Sequence, residues 1–215
     1  LDGGIGVFAV ASDAPGLTLI DNWGHSLSLR ASGSFDVQLK DVFVPAEWHV
    51  EQREAGQAKR GGIPAGWPTC AFAAVYLGVG EGALLALVDY AWQRTPTALG
   101  KPIAELPNLQ RSVGQMDIAL RAARAVLEET ARRWSEHPEA RPEMEADLAT
   151  AKHLCTNTAI TVTDIALRAA GASGLEATLP LERYFRDARA GLMHQPQDDR
   201  ALEVIGKHVL TSKPR

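Results

Sequence analysis

The sequence predicts a mainly α protein, an up-and-down four-helix bundle preceded by a few antiparallel β-strands. Three observations predict it. Apolar positions alternate with a period of two as far as Val50, and from residue 67 onward they recur at intervals of three and four. The change of period falls on a polar stretch, EQREAGQAKRGGIPAG. The 215 residues are 46% hydrophobic with a net charge of -4, which is enough apolar material to bury a core. The expected organisation is therefore a partial β domain over 1–50, a linker over 51–65 and a helical bundle domain over 66–215.

In the first segment, short apolar runs are punctuated by turn residues. VFAVAS precedes DAPG, LTLI precedes DNWG, and in FDVQLKDVFVP the residues Phe35, Val37 and Leu39 alternate with Asp36, Gln38 and Lys40. Such alternation suits antiparallel strands with one face on a core. Three or four strands of this length make a poor domain alone. The chain also enters its first strand within a few residues of Leu1, so a fragment of a longer protein is expected, with preceding sequence completing the sheet.

Helices are expected over 67–94, 103–136, 141–170 and 197–211. In the second, Leu109, Val113, Met116, Leu120, Ala123 and Leu127 form one stripe. Pro138 and Pro142 mark the turn into the third helix, which GASG at 171–174 ends. The first helix is rich in small residues, including Gly78, Gly80, Gly82 and Ala83. Glycine inside a helix costs up to about 1 kcal/mol relative to alanine, so something approaches closely: a neighbouring helix, a flat cofactor or a partner subunit.

Composition excludes several classes. Lys and Arg are scattered among Asp and Glu with no basic stripe, which argues against nucleic acid. Cys70 and Cys155 stand far apart in apolar contexts and are expected to be buried free thiols in a reducing compartment. His25, His49, His137, His153 and His208 show no ligand spacing, so no metal is expected. No unbroken apolar run approaches the roughly 18 residues of a membrane span, and a cytoplasmic location is expected. The stretch LERYFRDARAGLMHQPQDD packs Glu182, Arg183, Arg186, Asp187 and Arg189 close together and then stops the run at His194, Gln195 and Pro196. A solvated helix ended by proline is one explanation, and a chemically active loop is another.

Three stretches carry a resemblance. WGHSLSLRASGSFDVQLKDVFVPAEW is similar to the late β-domain segment of the acyl-CoA dehydrogenase family, ALGKPIAELPNLQ to its loop and following helix start, and IALRAAGASGLEATLPLERYFRDARAGLMHQPQDDRALEVIGKHVL to its C-terminal segment. Order and spacing agree over essentially the entire chain. The resemblance implies the C-terminal bundle of that fold, FAD as cofactor, an acyl-CoA or other small molecule as substrate, and a homodimer or homotetramer. The small-residue helix and Leu202, Val204, Ile205 and Val209 are the candidate subunit surface.

The family's chemistry is oxidation of an acyl thioester between its α and β carbons, which requires a base at the α carbon. The resemblance places the usual glutamate at Gln195, which cannot accept a proton. The alternative position, at the start of the first bundle helix, holds Trp67, Pro68 and Thr69. The family's flavin-contacting arginine, phenylalanine and glutamine fall on Pro96, Leu99 and Pro107, with Arg94 two residues upstream as a substitute. Gly171, Ala172 and Gly174 keep the place of the Gly-rich turn, where backbone N–H groups can meet a pyrophosphate. His194 resembles a histidine that flavin-dependent monooxygenases of the same fold use beside the flavin. Two alternatives therefore stand beside the dehydrogenase: such a monooxygenase, and a non-catalytic homologue serving as a structural partner in a hetero-oligomer.

Overall fold

A computed structural model describes residues 4–53 and 66–212. The chain divides into two compact units, residues 1–62 and 63–215. Most of the expected linker lies outside the described residues, and its first positions continue a strand.

In the first unit, β1 (Ile5–Phe8) pairs antiparallel with β4 (His49–Arg53), and β2 (Leu17–Ile20) with β3 (Asp36–Leu39), in the register Leu17 to Leu39 through Ile20 to Asp36. Gly16 turns with φ of 89°, where a Cβ would strike the Lys40 carbonyl oxygen. The long alternating run is a strand only over 36–39, because Asp41 takes a left-handed φ of 52° and breaks the extended backbone. On the expected core face Leu19, Val37 and Leu39 are each more than half exposed among the described residues.

The second unit is built on α1 (Gly66–Gln93), α2 (Pro107–Glu136) and α3 (Glu145–Ala170), followed by α4 (Leu181–Ala188) and α5 (Asp198–Thr211). Two expected helix starts are 3-10 turns instead, over Ile103–Glu105 and Pro138–Glu143. Proline explains both, since Pro107 has no N–H to continue a preceding helix and is suited to the first helical position, and Pro142 interrupts the ladder in the same way. The core is the meeting of three stripes: Ala73, Leu77, Ala83 and Leu87 from α1, Met116, Leu120 and Ala123 from α2, and Cys155, Val162 and Ala166 from α3. Both cysteines are buried free thiols, and burial pushes the Cys155 thiol up to about 12.

Close helix approach accounts for part of the small-residue content of α1. A Cβ at Gly80 would stand 3.0 Å from Leu120 Cδ2 and 3.4 Å from Ala159 Cα, and one at Gly82 would stand 3.0 Å from Tyr184 Cζ, where α4 lies on α1. By length and composition alone α1 is also apolar enough to cross a membrane, with a mean hydropathy of 1.9 over its best window. Glycines and Glu81 divide the run and conceal this in the sequence, and here one face of the helix is bundle core.

The charged run at 182–189 resolves into local pairs. Glu182 accepts from Arg186 Nε at 2.7 Å and Nη2 at 3.2 Å, while the Arg189 guanidinium stacks over Phe185 at 4.2 Å. On α5, Val204 is buried with Ala201 against Ala146 and Ala149 of α3, and Ile205 is partly buried on the same cluster. That corrects the expectation for Val204, which packs within its own chain because it follows Ala201 by one helical turn on the inward face. Leu202 and Val209 stay exposed.

Candidate functional site

The segment between α4 and α5 makes a 3-10 turn at Arg189–Leu192 and then carries His194 toward α5. Three contacts pin it to α3. The Lys152 Nζ, with no exposed surface, donates to the Gly191 carbonyl at 2.8 Å. Gly191 itself packs tightly against α1 and α3: a Cβ there would stand 3.0 Å from Thr156 Cγ2 and 3.1 Å from Tyr76 Cδ1. Asp198, opening α5, accepts from Asn157 Nδ2 at 3.0 Å and meets His153 Nδ1 at 3.2 Å. Burial holds the Lys152 ammonium below its ordinary pKa, and the Asp198 carboxylate works in the opposite direction.

His194 rests between two aromatic residues of α1. Its ring lies 4.6 Å from that of Phe72 with 32° between the planes, and its Nδ1 is 3.0 Å from the Tyr76 hydroxyl. Tyr76 is 2% exposed, and burial, with a smaller contribution from the Asp187 charge, pushes its phenol up to about 12. The imidazole is held below its ordinary value by burial and then by the Lys152 charge. His194 is thus favoured in its neutral form, hydrogen-bonded on one nitrogen and covered by Phe72.

Gln195, next along the chain, is exposed. The remaining candidates lie elsewhere. Arg94 follows the end of α1 and is exposed, and Leu99 sits in the turn closed by its N–H to Pro96 O at 2.9 Å. Gly171 follows α3 with φ of 64°, Ala172 is exposed and Gly174 is buried. Because Tyr76 and Thr156 flank Gly191 while Gly80 faces Ala159, α1 and α3 run parallel. The 94–99 loop and the 171–174 turn therefore share one end of the bundle. Tyr76 and Gln93 are separated by about 25 Å along α1, so one chain does not join these residues to His194.

Nothing lies within 4 Å of a Cβ built at Gly171, while one at Gly174 would meet Leu167 O at 2.9 Å, so the backbone is open on one side and tight on the other. Phe72, Tyr76 and Lys152 are the site residues that sequence reasoning missed. An aromatic residue and a lysine on helix stripes read as core or as solvated face until the loop that covers them is placed.

The family profile described as "Acyl-CoA dehydrogenase, C-terminal domain" matches residues 70–198. YdbM of Bacillus subtilis (strain 168), whose own assignment as an acyl-CoA dehydrogenase is provisional, is 37% identical over 207 residues, covering 96% of this chain and 53% of that protein. Dibenzothiophene monooxygenase of Rhodococcus erythropolis is 28% identical over 228 residues, covering 98% and 54%. The butyryl-CoA dehydrogenase structure from Megasphaera elsdenii superposes with a TM-score of 0.81 at 26% identity, over 97% of this chain and 52% of that one. The chain thus spans about half the length of each of these relatives. The bundle, the order of its elements and a profile match running from the start of α1 to the start of α5 make this chain a member of the acyl-CoA dehydrogenase family.

Proposed function

We propose that the whole protein is an FAD-dependent oxidoreductase of the acyl-CoA dehydrogenase type, which removes hydrogen from the α and β carbons of an acyl-CoA thioester. The observation that carries this reading is that the family match over residues 70–198 encloses Phe72, Tyr76, Lys152 and His194, so the assembled site lies inside the shared segment. Bound FAD supplies the hydride acceptor. On this chain, Gly171, Ala172 and Gly174 would face its pyrophosphate through backbone N–H groups, and Arg94 and Leu99 would reach the flavin of a neighbouring copy. Gln195 stands in the loop where the base is expected and cannot take the α proton, so on this reading a carboxylate from the part of the whole protein outside this chain accepts it. A homodimer or homotetramer in the cytoplasm accompanies the proposal. Trp67, Val75, Leu85 and Trp92, each more than half exposed along α1, support association.

Anaerobic titration of the full protein with a panel of acyl-CoA thioesters tests the proposal. Bleaching of the oxidised flavin band by at least one thioester is expected, and undiminished colour across the panel overturns the dehydrogenase. A second reading, oxygen insertion into an aromatic or sulfur-containing substrate, is favoured by the Tyr76–His194 pair and by the similarity to dibenzothiophene monooxygenase. It predicts oxygen uptake by the NADH-reduced flavoprotein that depends on such a substrate and collapses in His194→Ala.

A further inference from the structure

The Tyr76 hydroxyl decides which nitrogen of His194 carries the proton. Among the described residues its one hydrogen-bond partner is His194 Nδ1, at 3.0 Å. Were Nδ1 protonated and donating to the phenol oxygen, the phenol's own hydrogen would be left in a 2% exposed position with no acceptor. A buried donor without a partner is strongly disfavoured, so the phenol donates and Nδ1 accepts. The proton of the neutral imidazole then sits on Nε2. Phe72 covers one side of the ring and the Nε2 edge has no partner among the described residues, so that edge offers a donor.

We propose that Tyr76 is a positioning residue that locks His194 in the Nε2–H tautomer, making His194 a hydrogen-bond donor to an oxygen atom of the substrate rather than a base. This rests on the reading that the 189–197 loop borders substrate and flavin. A nitrogen already protonated in the neutral ring cannot abstract a proton, but it can stabilise negative charge growing on a carbonyl or other oxygen acceptor. The titratable groups around the ring support the neutral form. The Tyr76 phenol on α1 stays protonated, the buried Lys152 on α3 opposes a second positive charge, and Asp187 on α4 and Asp198 on α5 act on Tyr76 and Lys152 respectively.

The sign of one shift tests the tautomer. A donor to Nδ1 stabilises only neutral imidazole, so removing it in Tyr76→Phe raises the His194 pKa, by about 0.5 to 1. If Nδ1–H were the donor, imidazolium would keep that bond and the same variant would lower the pKa. The pH dependence of His194 acylation by diethyl pyrocarbonate, read by peptide mass in the full protein, reports the midpoint without turnover. A rise supports the assignment, and a fall or no change overturns it. Ring nitrogen-15 spectra of the histidine-labelled wild-type protein decide the same point should Tyr76→Phe not fold: protonated Nε2 with unprotonated Nδ1 is expected, and the reverse overturns it.

The donor role has its own readout. Glutamine places an N–H near the position of Nε2, so His194→Gln is expected to hold kcat within about tenfold of the wild type. His194→Ala is expected to lose about 100-fold in kcat with KM little changed. Equal losses in both variants overturn the donor role. If the wild-type protein turns over no thioester and no monooxygenase substrate, the functional reading fails while the titration and the spectra still decide the tautomer.

Discussion

Lys152 has no exposed surface, and its ammonium is held by a carbonyl oxygen, an acceptor weaker than a carboxylate. Its folded pKa therefore lies below its ordinary 10.5, the value expected for the unfolded chain. Between those two values the unfolded chain binds more protons than the folded one, so the contribution of Lys152 to stability grows as pH rises through the window and is lost as pH falls through the folded value. Lys152→Met removes both the buried charge and the donor to Gly191 O, two effects of opposite sign and similar size, each about 1 to 3 kcal/mol. Little net change is expected at neutral pH, together with loss of the pH slope. Denaturant unfolding of both proteins at neutral and alkaline pH checks this: wild-type stability should rise relative to the variant, and parallel curves would show that Lys152 is not depressed. At this scale the site was only half legible. His194 and Gln195 stood out because the loop residues after α4 have no structural repeat to hide in, whereas Tyr76 and Lys152 belong to helical stripes whose spacing fits plain packing equally well.

Helices α1 to α3 were legible in number and in their C-terminal ends, since long amphipathic periodicity acts locally, while the starts of α2 and α3 were each expected four residues early because the apolar spacing runs on through the 3-10 turns before them. The β segment was less so, because its alternation predicts a covered face and nothing local reports whether a second layer meets it, or that Asp41 ends β3. The glycines of α1 fall between these cases, as sequence alone does not separate those at contacts from those in open space. Gly80 faces Leu120 and the α3 backbone at Ala159, while nothing lies within 4 Å of a Cβ at Gly78. Gly78→Ala should therefore stabilise by about 0.5 to 1 kcal/mol through helix propensity alone. Gly80→Ala has the same gain set against about 1 to 3 kcal/mol of overpacking between helices, and net destabilisation is expected. Thermal unfolding of the two variants side by side tests the assignment, and an equal gain in both would mean that α1 and α3 are not in close contact at Gly80.

At the scale of the whole molecule, the separation between the His194 loop and the other end of the bundle bears on how a complete site is built. The residues proposed to meet the flavin pyrophosphate follow α3, those at 94–99 follow α1, and both groups lie about 25 Å along the helix axes from Tyr76 and His194. If one site needs both ends, two copies of the chain must supply them, and complementation between variants reveals it. His194→Ala disables one end. Gly171→Ala strains the other, because a φ of 64° with ψ of -145° is a backbone conformation that residues bearing a Cβ avoid. In a dimer assembled at random from the two variants, half the dimers are mixed, and each mixed dimer concentrates both defects in one site and leaves the other intact. Co-expression should then restore about one quarter of the wild-type turnover, although each variant alone has little. If each chain built its whole site, every site in a mixed dimer would carry one defect and co-expression would restore nothing.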